Sequence, residues 1–270
     1  MSVVTISRGS FSGGKLIAEK LADSLGYRCV DRDVIVERAS KYGVSQEELR
    51  NALDKPPSFI ERLQHKKYLY LTLIQAGLAS EVQEGKAVYH GNAGHLLLEG
   101  GGPVLRVRII APLETRIDMA RERLSIKRSA AIAHIRKMDE QRQRWTHYLY
   151  GVDWRDPSLY DLVLNLDHIT IDDATGLIDH LVRKQGCFDY SGPCRDAMNN
   201  VVLAATVKAE LALNPATRHL EFEVRSKAGL VFLTGRMPSV DLEDEVRRVA
   251  LSVDGVRDLN LDGITMPIQS

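Results

Sequence analysis

The stretch that decides the fold is Val3-Val4-Thr5-Ile6-Ser7-Arg8-Gly9-Ser10-Phe11-Ser12-Gly13-Gly14-Lys15-Leu16-Ile17-Ala18. Its apolar start is typical of a buried strand, and apolar residues then recur at helical spacing from Leu16 to Leu25. We therefore predict a strand, a glycine-rich loop and a helix in direct succession.

Within that stretch the loop has the spacing of a phosphate-binding loop, because Gly9 and Gly14 stand five apart and Lys15 follows directly. Glycine lets successive backbone N–H groups face one oxyanion, and the start of the helix adds the positive end of its dipole. The pattern is incomplete, since Leu16 and Ile17 lack the hydroxyl that would hold magnesium. The loop is therefore predicted to bind phosphate without an obvious side-chain ligand for the metal. A tight turn with a surface lysine is the alternative.

The composition of the 270 residues is that of an ordinary globular protein, with 44% hydrophobic residues and 36 basic against 36 acidic side chains. The length suggests two domains. The balanced charge gives no general attraction to nucleic acid, so no such partner is predicted. No apolar run approaches the ~20 residues that span a bilayer, which predicts no transmembrane segment and favours a cytoplasmic location. The three cysteines lack the spacing of a metal site or a disulfide framework.

Strand and helix patterns alternate from Val3 to Lys184, which predicts an α/β fold with a mostly parallel sheet and helices on both faces. A cluster of glycine, serine and proline then interrupts this rhythm. Beyond it, the patterns predict a helix, two strands, a helix and a strand, which is a small α+β module. We therefore predict one domain over residues 1–185, a linker over 186–195 and a second domain over 196–270.

Three charged residues, Asp31, Arg32 and Asp33, follow the second predicted strand. Ligands of open α/β sheets bind beyond the carboxyl ends of the strands, so these residues are candidates to contact a second substrate. A helix N-cap at either aspartate accounts for the same pattern, and both interpretations stay open. His90 and His95 flank a glycine-rich turn, but no third residue has metal-ligand spacing, so no metal site is predicted.

The two helices predicted after the fourth strand carry a high density of arginine. Ion pairing along the helix surface accounts for much of it, because acidic residues lie nearby. A mobile basic flap that closes over phosphates is the functional alternative. The residues concerned are Arg116, Arg121, Arg123, Arg136, Lys137, Arg142 and Arg144, with Glu122, Asp139 and Glu140 beside them.

Several short motifs of the first domain form a specific combination. They are Ile6-Ser7-Arg8, Ser12-Gly13-Gly14, Asp31-Arg32-Asp33, Ala111-Pro112-Leu113-Glu114-Thr115-Arg116, Gly151-Val152-Asp153-Trp154 and Tyr160-Asp161-Leu162-Val163-Leu164-Asn165. This combination resembles the cytidylate kinase-like family of P-loop nucleoside monophosphate kinases. The resemblance implies ATP and Mg²⁺ as cofactors, an acceptor site for a pyrimidine monophosphate with CMP or dCMP preferred, and a lid that carries arginines.

The resemblance also implies roles for individual residues. Donor-phosphate binding falls to Arg8, Gly9, Ser10, Ser12, Gly13, Gly14, Lys15, Arg116 and Arg123, acceptor binding to Asp31 and Arg32, and catalysis to Lys15, Asp139 and Arg142. In this scheme the lid arginine neutralises charge on the transferring phosphoryl group. Two departures from the family pattern are Leu16 in the loop and Asn92 after the third strand. They imply a changed acceptor, weak catalysis or a domain that binds nucleotide without transferring phosphate.

The second domain resembles a BON module in its element order and in two motifs, Gly229 to Gly235 and Val253 to Leu259. Such modules imply contact with a lipid, a small ligand or a protein. The leading hypothesis is therefore a nucleoside monophosphate kinase that the BON module regulates or docks. The alternatives are a catalytically weak or inactive nucleotide-binding sensor that signals through the BON module, and a scaffold. A homo-oligomer is compatible with each of them.

Overall fold

The computed structural model describes residues 3–54, 64–91, 93–102, 104–184 and 192–266. In its first part, short strands alternate with helices. The elements are β1 (Val3–Arg8), α1 (Gly14–Leu25), β2 (Arg28–Val30), α2 (Arg32–Ser40), α3 (Gln46–Asp54), α4 (Gln64–Val82), β3 (Ala87–Tyr89), α5 (Gly94–Leu97), β4 (Val104–Ile110), α6 (Leu113–Leu124), α7 (Arg128–Tyr150), β5 (Leu162–Asn165) and α8 (Ile171–Arg183). Within the described ranges, no helix has both the length and the hydrophobicity needed to cross a bilayer.

The five strands form one parallel sheet in the order β2-β3-β1-β4-β5. Helices α1 and α8 pack on one face through apolar side chains such as Ile17, Leu21 and Ile178. Helices α2 and α4 pack on the other face through side chains such as Ile35 and Leu73. The predicted α/β architecture, with helices on both faces, is confirmed. Because all strands run the same way, the loop after β1 lies at the carboxyl edge of the sheet.

The start of α1 is fixed by a close approach between its N-cap and a neighbouring loop. Gly13, the N-cap residue, has φ 83°, and an added Cβ would lie 2.9 Å from Cδ1 of Leu166. Only glycine meets both conditions, because other residues are strained at this φ and the space is already filled. The helix therefore begins at Gly14, one residue before the lysine.

The second part of the chain consists of α9 (Pro193–Leu213), β6 (Glu223–Lys227), β7 (Leu230–Arg236), α10 (Glu243–Leu251) and β8 (Asp258–Thr265). The sheet has the order β6-β7-β8, with β6 and β7 antiparallel and β7 and β8 parallel. The predicted helix–strand–strand–helix–strand order is confirmed. The strand expected to begin at His219 begins at Glu223 instead, although Leu220 and Phe222 are buried in the core of this module.

Helix α9 packs against both parts of the molecule. Met198 and Ala209 lie in the apolar cluster that contains α4, whereas Val207 and Leu211 lie in the core of the small sheet. The Tyr68 hydroxyl on α4 also donates a hydrogen bond to the Phe222 carbonyl at 3.1 Å. The small module is therefore packed onto the helices that cover one face of the large sheet.

Three features of the sequence lie outside the described residues. They are the predicted helix break at residues 55–58, Asn92, and residues 186–191 of the predicted linker.

Candidate functional site

The loop between β1 and α1 is folded back on itself and tied to β4. The Gly9 N–H donates to the Ile109 carbonyl at 3.4 Å, and the Ser12 N–H donates to the Gly9 carbonyl at 3.3 Å. The buried Ser12 hydroxyl donates to the Gly9 carbonyl at 3.0 Å and lies 3.2 Å from the Ile109 carbonyl oxygen. Phe11 has φ 60°, a left-handed conformation that non-glycine residues rarely adopt. Strain of this kind is concentrated at binding and catalytic sites.

Lys15 lies on the exposed side of α1, with its side chain 37% exposed. Its ammonium is 3.5 Å from Oε1 of Glu19, one helical turn further along. The predicted phosphate role of Lys15 stays a prediction. Leu16 is exposed and Ile17 is fully buried in the core beneath α1.

Arg8, the last residue of β1, lies across the start of α1. A Cβ added to Gly14 would lie 2.8 Å from both Cβ and Cδ of Arg8. The Nε of Arg8 is buried and has no hydrogen-bond partner among the described residues. Burial lowers the pKa of the Arg8 guanidinium, and the positive charge of Arg123 lowers this pKa further.

Helix α7, the predicted lid, is attached to the loop through Asp139. One carboxylate oxygen of Asp139 accepts a hydrogen bond from the Ser10 N–H at 3.1 Å, and the other accepts from Arg116. Arg116 also donates from Nε to the Ser10 carbonyl at 2.7 Å. Arg142 lies 3.6 Å from the same carboxylate and donates to the Arg8 carbonyl at 2.6 Å. Three of the predicted site residues, Asp139, Arg116 and Arg142, therefore meet at the loop.

The guanidinium of Arg142 is held in an unusual environment. Burial lowers its pKa to about 10, and the nearby charges of Arg8 and Arg116 contribute to the shift in the same direction. Asp139 opposes this shift. Since arginines repel one another, this group of cations is stabilised when an anion lies between them.

Another arginine, Arg108 on β4, packs against the same aromatic ring as Arg142. Its guanidinium lies 4.5 Å from the ring centre of Trp154, and Arg142 lies 5.3 Å from the same ring. The Tyr160 hydroxyl is 2.7 Å from the Trp154 carbonyl oxygen and 3.2 Å from Oγ of Ser7. Sequence reasoning missed Arg108. Its alternation with the apolar residues of β4 indicates an exposed face, so the local pattern gave no signal of its burial.

A cavity of about 340 Å³ lies between β4, α6 and α7. The side chains and backbone that line it include Gly9, Arg108, Arg116, Asp139 and Trp154. The cavity therefore opens beside the loop and the arginines that surround it.

On the other side of the loop, Asp31 caps α2. Its carboxylate accepts hydrogen bonds from the N–H groups of Asp33 at 2.9 Å and Val34 at 3.0 Å. The N-cap interpretation is thus confirmed for Asp31, while its role in acceptor binding stays a prediction. Arg32 donates to the Arg50 carbonyl at 2.7 Å and lies on the first turn of the same helix.

The turn after β3 encloses a buried tyrosine. A Cβ added to Gly91 would lie 1.9 Å from the Tyr89 hydroxyl oxygen, and one added to Gly94 would lie 2.3 Å from its ring. Burial raises the pKa of Tyr89, while the charges of Arg32 and Arg8 act in the opposite direction. Tyr89 is therefore buried near Arg8 and Arg32. Sequence reasoning did not identify this position.

His90 and His95 are both buried. Burial lowers the pKa of both imidazoles, to about 4 for His95. Across the described ranges, no group of three or more histidine, cysteine, aspartate or glutamate residues has the arrangement of a metal site.

The chain matches two family models. The model of the cytidylate kinase-like family matches residues 3–168, and the model of the BON domain matches residues 199–265. The first match contains the loop, α6 and the predicted lid helix.

Similar proteins include two that are named cytidylate kinase and one solved structure. The cytidylate kinase of Pyrococcus horikoshii is 25% identical over 164 residues, which are 60% of this chain and 79% of that protein. The cytidylate kinase of Ignicoccus hospitalis is 29% identical over 168 residues, 61% of this chain and 90% of that protein. The crystal structure of an uncharacterized protein from Eubacterium ventriosum has a TM-score of 0.53 and 18% identity, and covers 68% of this chain and 100% of that one. This structural likeness shows the fold alone.

The family match spans more than half of the chain. It includes every strand of the parallel sheet, the loop after β1 and the helix that Asp139 attaches to that loop. The protein therefore belongs to the cytidylate kinase-like family, and a BON domain follows the kinase-like part of the chain.

Proposed function

We propose that the protein is an ATP-dependent nucleoside monophosphate kinase that prefers CMP or dCMP and that its BON domain regulates or docks it. Family membership and the relatives named cytidylate kinase support nucleotide kinase activity. The cytosine preference is carried over from the names of those relatives. The division into residues 1–185 and 196–270 is part of the same proposal.

The observation that carries the proposal is the cluster of arginines around the loop. Burial lowers the pKa of both Arg8 and Arg142; the charge of Arg123 lowers the pKa of Arg8 further, and the charges of Arg8 and Arg116 lower the pKa of Arg142 further. Asp139 is the carboxylate in contact with the cluster. A ligand with several negative charges, such as a nucleoside triphosphate, relieves this repulsion when it binds.

Phosphoryl transfer suits this arrangement, because it depends mainly on positioning and on electrostatic stabilisation of the phosphoryl group. In the proposed mechanism the loop amides and Arg116 orient the donor phosphates. Arg142 lies close enough to the loop to offset negative charge that develops on the transferred group. Asp139 holds both guanidinium groups in place and acts as a positioning residue in the free protein.

Bound magnesium would supply positive charge that offsets the charge of the phosphates. For this ion the described loop residues offer the Ser10 hydroxyl, which is buried and has no hydrogen-bond partner among them. Mg²⁺ prefers oxygen ligands and commonly keeps several waters while it is bound through phosphates. The loop therefore fits a metal that arrives on the nucleotide and takes Ser10 Oγ as a protein ligand.

A coupled assay tests the proposal by offering ATP and magnesium with CMP, dCMP, UMP or AMP. We expect ADP formation that depends on the acceptor and is fastest with CMP or dCMP. Equal background hydrolysis with every acceptor, together with tight ATP binding, would contradict the kinase proposal.

One observation favours a sensor as the second candidate. The predicted loop lysine, Lys15, is paired with Glu19, and the next two residues, Leu16 and Ile17, provide no hydroxyl. A domain that binds nucleotide and transfers no phosphate is compatible with both features. Nucleotide binding without product in the same assay would support it.

A further inference from the structure

The first residue of α1 is a glycine, and the side chain of Arg8 occupies the space that a side chain at this position would fill. Gly14 is the first residue of the helix, and the stem of Arg8 lies where its Cβ would be, with contacts of 2.8 Å. A lysine or any other side chain at Gly14 would therefore collide with Arg8. The arginine stem covers the first turn of the helix, where backbone N–H groups have no intrahelical partners.

Two polar atoms of the loop region are buried and lack hydrogen-bond partners among the described residues. They are Nε of Arg8 and Oγ of Ser10. A buried donor without a partner destabilises a fold, and a bound ion or ligand is one of the ways in which such a group is satisfied. Burial and the charge of Arg123 lower the pKa of the Arg8 guanidinium more than Tyr89 and Glu19 raise it, so an anion is the ligand that suits this group.

The side chain of Lys15 differs from that of Arg8 in its exposure to solvent and in its ion pairing. Its side chain is 37% exposed, and its ammonium pairs with Glu19, one turn away from the start of α1. The lysine therefore has solvent and a paired carboxylate to stabilise its charge, whereas the buried Nε of Arg8 has no hydrogen-bond partner among the described residues and Glu19 acts on that guanidinium only through its charge.

We propose that Arg8, rather than Lys15, is the cation of the loop that binds a nucleotide phosphate, and that Gly14 is required because the arginine stem occupies its side-chain space. This assignment rests on the proposed function. A guanidinium has a planar set of donors that can contact two phosphate oxygens at once, whereas an ammonium acts as a point charge. The assignment thus predicts that lysine replaces Arg8 poorly.

Calorimetric titration of the full chain with ATP and magnesium tests this assignment. The variants are Arg8→Gln, Arg8→Lys, Gly14→Ala and the matched control Lys15→Gln. We expect Arg8→Gln to raise Kd at least ~10-fold, as loss of a charge-assisted hydrogen bond does, and Lys15→Gln to raise it less than ~3-fold, as loss of an exposed charge does. Gly14→Ala is expected to resemble Arg8→Gln because its methyl group displaces the arginine stem. Arg8→Lys is expected to fall between Arg8→Gln and the wild type.

The outcomes separate this assignment from the proposed function. If the wild type binds no ATP and forms no product, both are overturned. If the wild type binds ATP and Lys15→Gln loses ~10-fold or more, the arginine assignment alone is overturned, whether or not the Arg8 variants fold. Circular dichroism melts identify Arg8 variants that fail to fold. If a folded Arg8→Gln binds ATP as tightly as the wild type, that result also overturns the assignment.

Discussion

Arg142 on α7 donates a hydrogen bond to the main-chain carbonyl of Arg8 at 2.6 Å. The bond joins α7 directly to the last residue of β1, the strand that carries the loop. Asp139, three residues earlier on α7, adds a second connection through the Ser10 N–H. Helix α7 and the loop are therefore held as one unit in this structure, and a change on one is expected to affect the other.

The first prediction concerns Asp139. Asp139→Asn removes the negative charge that lies against Arg116 and Arg142, two guanidinium groups that are mostly buried. We expect the free energy of unfolding to fall by about 1–3 kcal/mol, because one acceptor oxygen is replaced by an NH2 group and the two guanidinium groups lose their counter-charge. Urea unfolding measures this change.

Glu140→Gln is the matched control, since Glu140 lies 3.9 Å from the exposed Arg144, and a change below ~0.5 kcal/mol is expected there. Equal losses in the two variants would contradict the structural role of Asp139.

The second prediction concerns catalysis and rests on the proposed kinase activity. Arg142→Gln removes the lid guanidinium that lies at the loop, and we expect kcat to fall ~10²-fold or more, as for other transition-state donors. The exposed Arg144→Gln is the control, since the side chain of Arg144 is 69% exposed on the same helix. A steady-state assay with CMP at saturation makes the comparison. Unchanged turnover in Arg142→Gln would exclude this arginine from the mechanism.

The large sheet and its loop could be predicted from sequence because their signals are local. Apolar runs rich in valine and isoleucine mark β1 and β4, and Gly13 and Gly14 mark the turn into α1. The register of the loop was harder, because the spacing rule uses Gly14 whereas the N-cap of the helix is Gly13. The N-cap is Gly13 because Leu166 approaches it, and no local pattern reveals a contact across more than a hundred residues.

The contacts that stabilise the site also depend on tertiary structure. Arg108 is buried against Trp154, although arginine in a strand is ordinarily exposed. The two packing faces of α9 were not predicted either. Its sequence is rich in alanine on several sides, so the pattern does not show that Ala209 contacts one apolar cluster and Val207 another.

The third prediction is a pH dependence of stability that arises from His95. Burial, with help from the charges of Arg106 and Arg108, lowers the pKa of His95 to about 4 from its ordinary 6.5. The unfolded chain therefore binds a proton first as the pH falls below 6.5. Above pH 6.5 the neutral imidazole of His95 makes its full contribution to the free energy of unfolding. This contribution is lost progressively as the pH falls to about 4, by on the order of 3 kcal/mol.

Urea unfolding at pH 7, 6 and 5 measures this dependence. His95→Gln is expected to reduce it, because the variant cannot take up the proton, while His90, whose pKa is also lowered by burial, keeps a dependence of the same sign. His180 is exposed on α8, so His180→Gln is expected to keep the wild-type slope. A wild-type slope that survives in His95→Gln would show that another group is responsible.

The fourth prediction concerns the contact between the two modules. Tyr68 on α4 donates to the carbonyl of Phe222, just before β6, and Phe222 is buried in the core of the small sheet. Tyr68→Phe keeps the ring on which Lys208 lies, at 5.3 Å from the ring centre, and removes only the hydroxyl. We expect a loss of about 1 kcal/mol in the free energy of unfolding, because a carbonyl loses its donor. Amide exchange is expected to accelerate in both α4 and β6, since the bond joins them.

Tyr70→Phe serves as the control, because the Tyr70 hydroxyl donates to Glu48 within the first module, and its exchange effect should not reach β6. Faster exchange in α4 with β6 unchanged would show that this bond does not connect the two modules.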